Sequence, residues 1–248
     1  MKYFKTTLLL FILTLLSCSS DDEDDVNNNE NTNGDTTVLI KSITEKTYKG
    51  SSGGNDVVVE LSYNYNGSKI ISIEEKQTSD GQISTSKYEF TYTENLITSV
   101  HSISDYSNYV ETISYDTNGR IVSMYDNYEY LSENEVISGD LECTRLLLSN
   151  NQINKIYTSN NCQDYKEYHT YEYDNKRNAL SNIEGYNWAF MWDWTFSGNT
   201  EYSTSYNNLI KGLDYNYEYD YNENGYPRNV SFFNYDGSLE GTMVIEYY

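Results

Sequence analysis

Alanine, proline, cysteine and histidine are all scarce in this chain of 248 residues. Alanine occurs twice, at Ala179 and Ala189. It is the strongest helix former, so its near absence argues against helical bundles and α/β folds. One proline (Pro227) leaves long stretches free to pair as strands. Basic residues number 16 against 38 acidic ones. That balance excludes nucleic-acid binding, which needs Lys and Arg to neutralise phosphate. The two histidines (His101 and His169) and three cysteines form no tight cluster of zinc-ligand spacing. No G-x-S-x-G turn is present to hold a nucleophile. The sequence therefore implies no catalytic residue, metal or cofactor.

Tyrosine is abundant instead, at 28 residues, with Thr, Val and Ile beside it. These residue types favour strands. The N-terminus has a different character. Lys2 and Lys5 precede an apolar run from Leu8 to Leu16, the pattern of a secretory signal over residues 1–17. The run is far shorter than the ~20 residues of a membrane-spanning helix. It ends in Leu15-Leu16-Ser17-Cys18, which resembles the bacterial lipoprotein box, so Cys18 is the expected lipidation site and the membrane the expected anchor. Residues 18–37 hold an acidic block, Asp21-Asp22-Glu23-Asp24-Asp25, followed by an Asn-rich stretch without Lys or Arg. Like charges and low hydrophobicity predict a disordered tether there. The block resembles the surface-export signal of Bacteroidota-type lipoproteins. That resemblance implies an outer-membrane lipoprotein displayed at the surface, with a periplasm-facing one as the alternative.

Residues 38–248 read as one β domain. Tyr-rich segments recur at about 25-residue steps, marked by Tyr65, Tyr92, Tyr115, Leu148, Tyr173, Phe196 and Tyr221. Each unit reads as strand, Asn/Asp/Gly turn, strand. Val57, Val59, Leu61, Tyr63 and Tyr65 share one parity, and Glu60, Ser62 and Asn64 the other. Tyr215, Tyr217, Tyr219 and Tyr221 repeat the pattern. Period two with one apolar face predicts antiparallel pairing. About seven such hairpins cannot lie flat in water. The expected fold is all-β, a single large curled antiparallel sheet or barrel-like meander. Asp116-Thr117-Asn118-Gly119 suits a hairpin turn better than calcium, since it lacks the later ligands of an EF-hand loop.

Tyr115-Asp116-Thr117-Asn118-Gly119-Arg120-Ile121 resembles the tyrosine–aspartate (YD, or RHS-type) repeat, with looser copies at Tyr65, Tyr173 and Tyr221. With the lipoprotein start, the chain resembles uncharacterised Bacteroidota surface lipoproteins with tyrosine-rich repeats. Such a resemblance implies a porin-like or curled antiparallel fold and, by analogy, glycan contact.

Tyr186, Trp188, Phe190, Trp192, Trp194 and Phe196 share one parity. On a strand they stack either into the core or into a platform for sugar rings, with Tyr186, Trp188, Trp192 and Trp194 as its candidate face. Cys143 and Cys162 are expected to pair outside the cytoplasm. The functional expectation is an envelope lipoprotein acting as a non-enzymatic binding or scaffold module for a glycan or a partner envelope protein. A polysaccharide-active hydrolase and a self-associating shell element are the alternatives.

Overall fold

The turns punctuate the chain into strands. In the computed structural model, which describes residues 38–48, 56–124, 127–138, 143–150, 152–186 and 205–248, Asp80 and Gly81 both adopt positive φ (54° and 73°). That is the twist a two-residue hairpin demands. They join β3 (Lys69–Ser79) to β4 (Gln82–Thr93). Another device recurs between β7 (Ser114–Tyr115) and β8 (Ile121–Ser123) and between β16 (Asn216–Tyr221) and β17 (Pro227–Phe233). In the first, Asp116 Oδ1 accepts from the Asn118 and Arg120 amides at 2.8 and 2.9 Å. In the second, Asn222 Oδ1 accepts from the Asn224 and Tyr226 amides at 3.0 Å each. A glycine at positive φ, Gly119 or Gly225, completes each turn. The Asp116 carboxylate also takes the Arg120 guanidinium at 2.7 Å, so the hairpin consumes it.

Every described element is a strand, and every pairing is antiparallel. The remaining strands are β1 (Ile40–Thr47), β2 (Val57–Asn66), β5 (Leu96–Ser104), β6 (Asn108–Thr112), β9 (Tyr128–Ser132), β10 (Glu135–Ser138) and β11 (Cys143–Ser149). They continue with β12 (Gln152–Ser159), β13 (Lys166–Thr170), β14 (Glu172–Arg177), β15 (Asn207–Lys211) and β18 (Leu239–Tyr247). Eleven strands form one sheet in the order β14-β15-β16-β17-β18-β1-β2-β3-β4-β5-β6. Five form a second, β13-β12-β11-β10-β9, and β7-β8 a third. Neighbours in space are neighbours in sequence, except where β18 returns to pair with β1. Two of the three changes of sheet occur at single residues, Ile113 between β6 and β7 and Tyr171 between β13 and β14; the third lies between β8 and β9.

The curled, unclosed antiparallel architecture is the one the period-two pattern predicts. One core draws on all three sheets: Ile43, Leu61, Ile73 and Phe232 from the large one, Leu146 and Ile156 from the second, Ile121 from the third. Leu61 and Tyr63 are buried as their parity requires, while Glu60, Ser62 and Asn64 are exposed.

The tyrosines have a second task besides filling space. Tyr115 Oη donates to the Ile97 carbonyl at 2.6 Å, and Tyr173 Oη to the Ile153 carbonyl. Tyr247 Oη donates to the Pro227 carbonyl at 2.6 Å. Tyr92 Oη accepts the Ile70 amide at 3.1 Å. In each case the ring belongs to one hairpin and its hydroxyl reaches back 18 to 22 residues, to the first or second residue of a strand of the hairpin before. A phenylalanine would fill the same volume without the clasp.

Between β14 and β15 the chain leaves the sheet. Ala179, Leu180 and Ile183 are buried in the core. Asn182 Nδ2 donates to the Val38 carbonyl and to Tyr226 Oη, at 2.7 and 2.8 Å. The Glu184 amide donates to the Ser68 carbonyl, and Ser68 Oγ to the Glu184 carboxylate at 2.6 Å. Gly185, at φ +80°, abuts the β4–β5 turn so closely that a Cβ would lie 2.8 Å from the Asn95 carbonyl oxygen. This segment pins three separate turns of the large sheet.

Candidate functional site

Strands β2 to β5 turn one row of side chains inward and the other out. The outer row is charged and cross-paired. Glu60 faces Lys76 across the β2–β3 ladder, with Lys76 Nζ 2.6 Å from its carboxylate. Lys87 lies 2.7 Å from Glu89, and Glu89 lies 3.6 Å from His101 Nδ1. The hydrogen bond to Glu89, then its charge, holds the Lys87 ammonium above its ordinary range; the same pair holds the Glu89 carboxyl below its own. A lipid-facing barrel wall excludes such a surface, so this part of the wall faces water.

The outer row encloses an open depression of about 550 Å³. Glu60, Glu74 and Asp105 supply acceptors there, Lys76 and Lys87 donors, and Ile103 an apolar patch. Ser62, Thr85 and Ser104 add hydroxyls. Parity could have found Glu60, Ser62, Glu74, Lys76, Thr85 and Lys87, but not Glu75, Ser86 and Ser104, which also line the depression and have the opposite parity. What the sequence does not show is that four strands bend enough to make the polar face hollow.

The inner row holds two carboxyls among rings. Glu45 on β1 shares parity with Ile43 and is 5% exposed. Thr47 Oγ1 donates to its Oε1 at 3.4 Å, while Oε2 has no partner. Burial pushes its carboxyl up to about 7, offset in part by the Thr47 bond. Glu75 on β3 accepts from Tyr88 Oη at 3.1 Å, and burial raises it too. Both carboxyls act on Tyr63, whose hydroxyl is held protonated first by its own burial. Sequence reasoning did not single out either acid, although the parity of Glu45 with Ile43 carried the signal.

Cys143 and Cys162 are joined by a disulfide, with Cα atoms 5.0 Å apart. Cys143 pairs with Ser159 on β12. The chain then bends back, and Cys162 takes a positive φ of 56°. Tyr186 follows the turn at Gly185, packs against the core and lies outside any strand. Burial raises its hydroxyl, so the ring serves the interior. Trp188, Trp192, Trp194 and Cys18 lie outside the described residues. His169 is half-buried on β13, edge-on to Tyr171 with ring centroids 4.7 Å apart. Burial and then the charge of Lys211 lower it. Asp214, Glu218 and Asp220 do not form a metal cluster, and no group of three ligating side chains occurs among the described residues.

No protein-family model matches the chain, and no curated protein matches it. Among solved structures the chain is similar to a porin-like protein from Bacteroides uniformis. The two share 13% identity over 84% of this chain and 98% of the other, with a TM-score of 0.37. A likeness at that score carries no argument about fold or role, which rest on the residues themselves.

Proposed function

We propose that the chain is an envelope lipoprotein, anchored through Cys18, whose β domain is a non-enzymatic binding module for glycans. The depression on the outer face of β2–β5 carries this reading. A sugar ring offers hydroxyls that both donate and accept, and apolar C–H faces. The Glu60, Glu74 and Asp105 carboxylates, the Lys76 and Lys87 ammoniums, and Ile103 supply a counterpart to each. The net acidity of the domain disfavours polyanionic glycans and points to neutral ones. The rigid ladder beneath holds the polar groups in place without a loop to order, which reduces the entropic cost of binding.

Two measurements test the reading. Metabolic labelling with palmitate should mark the wild-type chain and leave Cys18→Ser unlabelled; an unlabelled wild type removes the anchor. An array of neutral polysaccharides should retain the protein and lose it on Lys87→Ala, with no change in melting temperature. Should no glycan be retained, the binding reading fails. Release of reducing ends from a retained glycan would replace it with a hydrolase.

A further inference from the structure

Strand β6 ends the large sheet, and its far side meets no other described strand. Its neighbour in the chain, the β7–β8 hairpin, pairs only beyond Ile113. The ladder fixes which backbone groups look outward. The Ile113 amide donates to the Thr98 carbonyl, so residues of that parity bond to β5. Alternation in an antiparallel pair then turns the N–H and C=O of Asn108, Val110 and Thr112 away from β5. All three residues are exposed, Val110 at 58%, and Tyr106 just before the strand is 92% exposed.

Natural edges carry bulges, lysines or prolines that deter a visiting strand. Register breaks mark β9, β13 and β14. β13 and β14 add Lys166, Lys176 and Arg177, and β7 and β8 are two and three residues long. β6 reads Asn-Tyr-Val-Glu-Thr in unbroken register, without any such guard.

We propose that β6 is a docking edge that takes an extended, basic peptide segment of a partner envelope protein as an added strand. Backbone groups of Asn108, Val110 and Thr112 supply the ladder, as in recognition by β-augmentation. Charge selects the partner. Asp105 precedes the edge and Glu111 lies on it, in a domain of 31 acidic and 14 basic residues, so an incoming Lys or Arg is attracted and a second acidic copy of this chain repelled. The edge shares Asp105 with the glycan depression, but the backbone ladder of β6 does not, so peptide binding is tested independently of glycan binding.

The test uses the full chain and a fluorescein-labelled peptide of alternating Val and Lys, with a Val/Glu peptide as control. The Val/Lys peptide should bind and the control should not. Val110→Pro removes an outward N–H and no bond to β5, so it should keep the wild-type melting temperature and weaken binding at least tenfold. Val110→Lys, which guards the edge with charge, should weaken it similarly. On binding, the amides of Asn108, Val110 and Thr112 should gain protection from hydrogen exchange, while Tyr109 changes little. Equal binding to wild type and both variants, or equal binding of the Val/Glu peptide, overturns the proposal. So does a wild-type dimer in sedimentation that Val110→Pro dissociates, because a second copy would then be the occupant.

Discussion

Tyr115 and Ile97 sit 18 residues apart in sequence and are tied by a 2.6 Å hydrogen bond from phenol to carbonyl. The bond links one hairpin to the one before it; Tyr173 and Tyr247 donate in the same way, and Tyr92 makes the reverse tie by accepting the Ile70 amide. Tyr115→Phe should keep the ring in the core and lose the tie. The expected cost is about 1 kcal/mol, since a carbonyl loses its partner. Tyr115→Phe with Tyr173→Phe should add, because the two ties share no residue. Thermal melts of both singles and the double would check this; a phenylalanine variant as stable as wild type would show the hydroxyls to be idle.

Glu45 predicts a pH dependence. Its carboxyl is pushed from 4.5 to about 7 in the fold, chiefly by burial. Below pH 4.5 both the folded and unfolded chains hold the proton, and Glu45 contributes nothing. As pH rises from 4.5 to 7 only the unfolded chain ionises, so stability falls through that window and stays lowered above it. The loss is on the order of 3 kcal/mol, at about 1.4 kcal/mol per pH unit. Glu45→Gln should therefore be near neutral at pH 4 and stabilising at pH 8. Chemical denaturation at the two pH values decides, and an equal effect at both would refute the buried, protonated carboxyl.

Gly185→Ala should be costly. The position holds φ +80°, and an added Cβ would meet backbone, the Asn95 carbonyl at 2.8 Å, rather than a side chain that can move. Strain and clash together predict a loss of about 2 kcal/mol or more. Gly67→Ala offers the contrast: its φ is +66°, but a Cβ there meets open space. A melt in which both variants drop equally would deny the segment 178–186 its pinning role.

The Cys143–Cys162 bridge closes a loop with a sequence separation of 19. Chain entropy assigns such a loop about 3 kcal/mol. Cys143→Ser with Cys162→Ser should lower the melting temperature in the absence of reductant. With reductant the wild type should approach the double variant. Melting curves that ignore reductant would contradict the bridge.

The fold was legible where side-chain parity is strict. Val57 to Tyr65 and Tyr215 to Tyr221 place their apolar residues inward as period two requires. The Asp116 turn was legible because Asx chemistry is local. The order of the sheet was not, since nothing in β1 or β18 announces that they pair. Nor was the division into three sheets, two of whose boundaries fall at Ile113 and Tyr171, single residues with no turn signature. Of the candidate site residues, the cysteines were readable from number and compartment, though not the bend after Ser159 that brings Cys162 back. Tyr186 was readable as an inward-packing ring, while the rest of its aromatic run lies outside the described residues. The outer depression was invisible, because sheet curvature is a property of many strands rather than of one.

The pairing of β1 with β18 sets the order in which the molecule can mature. Lys41 and Glu246, joined across this seam, are 205 residues apart. No other ladder in the large sheet spans so much chain, and closing it carries the greatest loop entropy. As the chain grows from its N-terminus, β1 can pair with β2 early, but its other edge stays open until β18 is made. The half-apolar β1 thus waits with one edge open for the most distant strand of the sheet, which makes this seam the least local step of folding.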